Sequence, residues 1–179
     1  MIITIEPCCA NKHWKKVLAE LELKKTVLIE GYGDMTLNEL LPVALGRCQE
    51  AEVIITAPLM PEELCRTIGT LLYHTWALPD GGNINKIAHM RVITDARASK
   101  SPAVMEWAKR YGGQVELASC QQNDTMVLVT DSNSADDMAI VGPVNVQPCG
   151  QWTTMVTRDP VLMAELCAEQ LARFEAWKI

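Results

Sequence analysis

One phenylalanine and three tyrosines in 179 residues leave this chain poor in ring surface, with nine methionines and five tryptophans beside them. Positive charge is also short. Sixteen Lys and Arg face 22 Asp and Glu, for a net charge of −6 and a pI of about 5.1. A protein that wraps nucleic acid by neutralising phosphates has the opposite balance, so nucleic acid is not expected as a partner. The local exception is Lys12, Lys15, Lys16, Lys24 and Lys25, of which the first three share a helix face. No run approaches the roughly 20 apolar residues that cross a bilayer. The opening MIITIEPCCANKHWKK has no basic segment before an apolar run, so it does not read as a secretory signal. Regular cysteine pairing is missing as well. Cys8, Cys9, Cys48, Cys65, Cys120, Cys149 and Cys167 are odd in number and keep no framework spacing. Four of them, Cys48, Cys65, Cys120 and Cys167, sit in apolar stretches as buried thiols do, and a reducing cytoplasm is the expected location. There is no internal repeat and no low-complexity tract.

What is present is ample core material. Hydrophobic residues make up 49% and charged residues 21%, which excludes a disordered chain and suits one domain over 1–179. Short apolar runs alternate with amphipathic segments. Strands are expected at Ile2–Ile5, Thr26–Glu30, Glu52–Ala57 and Ala88–Asp95, then at Gln114–Ala118, Thr125–Asp131, Met138–Val141 and Thr153–Thr157. Helices are expected at Lys12–Leu23, Thr36–Cys48, Pro61–Trp76, Ser101–Tyr111 and Pro160–Trp177, with Gly112-Gly113 as a stop signal. Leu78–Asn85 (LPDGGNIN) reads as a loop. The pattern predicts an α/β domain of three layers, a mixed β-sheet with helices on both faces.

The order of the second half carries a resemblance. A strand ends in Asp95, and a helix and a Gly-Gly turn follow. QVELAS and TMVLVTD come next, then AIVGPVN, a strand ending in RDP and a helix finishing RFEAW. This resembles one half-domain of the phospholipase D superfamily, in which a strand bearing H-x-K-x4-D leads into one ending in G-S-x-N. The resemblance covers 25–179 and leaves 1–24 as an added strand and helix. Anchored on Asp131, the histidine position falls on Asp124 and the lysine position on Met126. G-S-x-N reads Gly142-Pro143-Val144-Asn145, keeping glycine and asparagine and losing serine.

In the family the histidine attacks phosphorus while Lys and Asn hold the phosphoryl oxygens, and a second half-site supplies the acid. A carboxylate at the nucleophile position repels an anionic diester, and Met126 donates no hydrogen bond. The resemblance therefore implies a vestigial site at Asp124, Met126, Asp131, Gly142 and Asn145. It also implies a homodimer, because a single half leaves the paired surface uncovered. The expected seam is the strand Thr125–Asp131 or the segment around Gly142–Asn145. The function expected is binding or homo-assembly, without cofactor, metal or membrane span, and with an unknown ligand. The alternatives are a phosphodiesterase or nuclease using substituted residues such as His89 with Asn145, and an unrelated α/β module binding a small ligand beyond its strand ends.

Other motifs have plainer readings. His13-Trp14-Lys15 with Glu20 mimics the family signature but lies on an expected helix, where the pair at i and i+2 does not point one way. His89-Met90-Arg91 with Asp95 lies on a strand and suits a structural or surface role. Cys8-Cys9 with His13 lacks a fourth ligand and the usual C-x2-C spacing of a metal site. Gly31-Tyr32-Gly33-Asp34 lacks the third glycine and the Gly-Lys ending of a phosphate loop, so it reads as a turn. Asp131–Asp137 (DSNSADD) lacks the alternating carboxylates of a calcium loop and reads as a solvated hairpin turn. The scattered methionines read as core gap-fillers.

Overall fold

The structure is a computed structural model that describes residues 2–5, 10–32, 41, 44–45, 48, 50–73, 75–77, 83–85, 87–121, 125–131, 137–142 and 151–179. Its centre is the β-branched run Ala51–Ala57, strand β3. Such a run suits a strand covered on both faces, and six of its seven residues are buried. Around it lie β1 (Ile2–Ile5), β2 (Thr26–Tyr32), β6 (Ile87–Thr94), β7 (Val115–Ser119), β8 (Met126–Asp131), β9 (Met138–Val141) and β10 (Gln151–Thr157). They form one eight-stranded sheet in the order β1-β2-β10-β9-β8-β3-β6-β7. The pairs β1/β2, β3/β6 and β6/β7 are parallel and the others antiparallel, so the sheet is mixed.

Side chains alternate between the two faces, as strand geometry requires. On the first face Val53, Ile55, Val92, Val127, Val129 and Ile140 join one cluster with three helices. These are α1 (Ala10–Lys24) through Val17 and Leu21, α2 (Glu62–Leu72) through Leu64 and Ile68, and α4 (Pro102–Arg110) through Val104 and Trp107. The second face presents Ile54, Ile93, Leu128 and Ala139 to Met163 and Phe174 of a single helix, α5 (Pro160–Trp177). Asp159 caps that helix by accepting the Val161 and Leu162 N–H groups at 3.0 and 3.1 Å, and Pro160 takes the first helical position, where it loses no bond. Across the buried interface the Thr56 hydroxyl donates to Gln170 Oε1 at 2.9 Å.

Three expectations change. The helix expected to reach Trp76 stops at Leu72, where the Tyr73 N–H turns back to the Thr70 carbonyl at 3.2 Å. Thr75–Ala77 is strand β4 and pairs antiparallel with β5, Asn83–Asn85. The expected loop therefore shrinks to the connection of a hairpin, and its residues 78–82 lie outside the described ones. β-Branched and aromatic residues at 75 and 76 suit extended backbone, which overrides the weak helical period there. A short helix, α3 (Ala96–Ser99), was not expected; Asp95 caps it by accepting the Arg97 N–H at 2.8 Å. Third, β2 continues through Gly31 and Tyr32 in register with β10, so those two are strand rather than turn. Gly33 and Asp34 lie outside the described residues. Of the expected helix Thr36–Cys48 only 41, 44, 45 and 48 are described; all four are buried, and the Leu45 N–H donates to the Leu41 carbonyl at 2.9 Å.

Candidate functional site

The two strands on which the sequence places the expected motif positions are neighbours. β8 begins with Met126 and β9 ends with Val141, and these two residues stand directly opposite in the antiparallel register. The Gly142 N–H donates to the Thr125 carbonyl at 3.0 Å. One end of the sheet thus gathers Thr125, Met126, Val141 and Gly142. Gly142 has φ +149°, a conformation that side chains rarely adopt, and an added Cβ would meet Thr154 Cα and Oγ1 at 2.8 Å. Only glycine fits there without strain. Met126 and Val141 are half-buried, and both pack on the apolar cluster beneath α5. The side chains this strand pair offers are a thioether and an isopropyl group, neither of which holds a phosphoryl oxygen. Asp124, Pro143, Val144 and Asn145 lie outside the described residues.

Asp131 stands at the other end of β8, about 17 Å away at ~3.3 Å per residue. Its Oδ1 accepts the Glu50 N–H at 3.0 Å, and its own N–H donates to Asp137 Oδ1 at 2.8 Å. Two carboxylates there serve backbone groups at the start of β3 and at the end of β8. The intervening residues 132–136 lie outside the described ones. Among the described residues no three His, Cys, Asp or Glu side chains gather as metal ligands. Cys8 and Cys9 are not among them, and His13 lies in α1.

His89 belongs to a different end of the second face. It pairs across the sheet with Glu52, while Met126 pairs with Thr56. The separation is thus about 13 Å along the strands and ~10 Å across them. His89 Nε2 lies 3.1 Å from Glu116 Oε2, and among the described residues its Nδ1 is buried without a partner. Arg91 bridges Glu52 at 3.1 Å and Glu116 at 3.7 Å, and Lys178 bonds Glu116 from beyond α5. That hydrogen bond, with the charges of Lys178, His89 and Arg91, holds the Glu116 carboxyl below its usual range despite partial burial. The sequence singles out His89 and Arg91 but not their pairing with Glu52 and Glu116. The cluster's signal is polar Glu52, His89, Arg91 and Glu116 on otherwise apolar strands.

Two of the described thiols, Cys65 and Cys167, are poor nucleophiles. Burial pushes Cys65 up to about 11, with a smaller push from the Glu62 charge. Burial and the Asp137 charge raise Cys167 as well. Neither is a thiolate near neutral pH. Among the described residues no helix is long and apolar enough to cross a membrane.

No protein-family model and no curated protein sequence matches the chain. Solved structures do. The chain is similar to Nuc from Salmonella typhimurium, a phospholipase D family member, with 10% identity and a TM-score of 0.51 over 86% of this chain and 97% of that one. It is also similar to TrmBL2, an archaeal chromatin protein with a novel mode of DNA binding, with 13% identity and a TM-score of 0.52. That likeness covers 94% of this chain and 62% of TrmBL2, so the chain spans less than two thirds of that protein. At these identities the likeness is one of fold. The α/β architecture is phospholipase D-like.

Proposed function

We propose that this chain is a catalytically silent protein of phospholipase D-like fold that acts by binding or by assembling with a second copy of itself. The observation that carries the reading is Met126 opposite Val141, where the two motif strands meet. A phosphodiester needs a cation or donors on its oxygens there, and electrostatic stabilisation of that kind is usually the largest part of the rate enhancement. A thioether beside an isopropyl group supplies neither. In this reading Asp124 takes the nucleophile position, where its charge opposes an anionic substrate.

The same apolar replacement suits a dry contact with a second copy. β8 itself cannot provide a strand edge, because β3 and β9 already bond both of its sides. Among the described residues the seam is accordingly narrower than the sequence suggests: Met126 at the start of β8, with Gly142 beside it. Light scattering at micromolar concentration is expected to give a dimer, and Met126→Lys to weaken it by placing a charge in the contact. A monomeric wild type defeats the assembly reading. A dimer indifferent to Met126→Lys moves the seam elsewhere.

A second reading is favoured by one observation, the likeness to a DNA-binding chromatin protein. Against it stands the net charge of −6, which opposes counterion-driven affinity. The cations of α1 are in part already engaged, since Lys24 pairs with Glu20 at 3.6 Å. Submicromolar binding to duplex DNA at about 150 mM salt, lost when the α1 lysines are neutralised, would install this reading in place of the first.

A further inference from the structure

On the first face α2 and α4 leave a cleft of about 570 Å³ between them, within the roughly 300–1,000 Å³ of small-molecule pockets. It lies on the helical layer, away from the motif strands, and is independent of the reading above. Buried Cys65, Gly69 and Trp107 make its floor. Three rings line it: Tyr73 meets Tyr111 edge-on at 5.5 Å, and Trp107 tilts against Tyr111 at 6.3 Å. Gly69 makes this possible, because a Cβ there would stand 2.8 Å from the Tyr111 hydroxyl. Tyr73 is 71% exposed among the described residues, so much of its ring is accessible to a solute in the cleft. Among the described residues the Trp107 indole N–H is buried without a partner, and buried donors are normally satisfied.

The rim is built of balanced charge. Arg66 pairs with Glu62 at 3.2 Å on α2, and Arg110 with Glu106 at 3.7 Å on α4. Exposed i,i+4 pairs hold weakly and are easily traded for a ligand. Two guanidinium and two carboxylate groups cancel, so the rim attracts neither anion nor cation, yet it offers donors and acceptors together. Rings with a neutral floor and a mixed polar rim select a flat solute with a mixed polar edge.

We propose that this cleft binds a planar, uncharged heteroaromatic ring carrying both donors and acceptors at its edge, the chemistry of a nucleobase. The ring comes either from a free nucleoside or from a base in a single strand. The test is isothermal titration of the full chain with adenosine, with a short deoxyadenosine oligomer, and with benzoate as a flat anion. Adenosine is expected to bind saturably and benzoate not. Tyr73→Ala is expected to weaken adenosine about tenfold, the low end of base–aromatic stacking. Ala103→Trp, at an exposed position on the cleft, is expected to abolish binding. Met105→Trp, exposed on the same helix but off the cleft, is expected to leave it unchanged. If the oligomer binds tighter than adenosine and loses that affinity in Ala103→Trp, the source is a strand; otherwise it is a free nucleoside. The proposal is overturned if adenosine shows no saturable heat up to about 5 mM, or if its binding survives Ala103→Trp. It is equally overturned if benzoate binds as well as adenosine, or if the oligomer binds and adenosine does not.

Discussion

The two ends of β8 differ in what their residues do. At the far end Asp131 accepts the Glu50 N–H at 3.0 Å and ties β8 to the start of β3. At the near end Met126 faces Val141, and the polar contact is a backbone one, from Gly142 to Thr125. Asp131, read as part of the family motif, serves the backbone. The position expected to hold a phosphoryl group carries a thioether. On the proposed reading, the chain keeps the part of the motif that organises strands and replaces the part meant for chemistry with apolar packing. Gly142 belongs with the first kind, since its φ of +149° and its contact with Thr154 are demands of the sheet.

The largest effect expected from breaking this contrast is at Gly142. Gly142→Ala combines backbone strain with a clash against Thr154 and should cost about 3 kcal/mol in denaturant unfolding. Asp131→Ala removes a charged acceptor from a backbone N–H at an exposed site, and about 1–2 kcal/mol should be lost. Met126→Lys, at a half-buried strand end where a long stem can reach solvent, should change stability by less than about 1 kcal/mol. If Met126→Lys proved costlier than Asp131→Ala, the two ends would not differ as described. The smallest effect, away from both ends, is at Glu116. Its folded carboxyl titrates below the unfolded value near 4.5, so its stabilising share is present above that pH and fades as pH falls through the lower folded value. Glu116→Gln should therefore flatten the acid limb of the stability profile below about pH 4.5 and lower stability slightly at neutral pH. A steeper acid limb in the variant would contradict the assignment.

Much of the fold was legible because its signals are local. The run at Ala51–Ala57, the Asp159-Pro160 start of α5 and the Ser101 cap of α4 each state an element within a few residues. The β4–β5 hairpin was not legible, because Thr75 and Trp76 continue a helical period while their extended state depends on pairing with Asn83–Asn85. The antiparallel pairing of β8 with β9 suits the hairpin expected between them, but Met126 opposite Val141 is a matter of register that segment order does not specify. The Glu116 cluster joins three strands and Lys178 beyond α5, and the α2–α4 cleft joins two helices and their ends, so neither is announced by local spacing alone.

The most direct test of the account is hydrolysis of bis-p-nitrophenyl phosphate by the purified wild-type chain. The expected rate is indistinguishable from the uncatalysed reaction and unchanged by His89→Ala. Turnover that His89→Ala abolishes would contradict it and make the chain a phosphodiesterase with a relocated nucleophile.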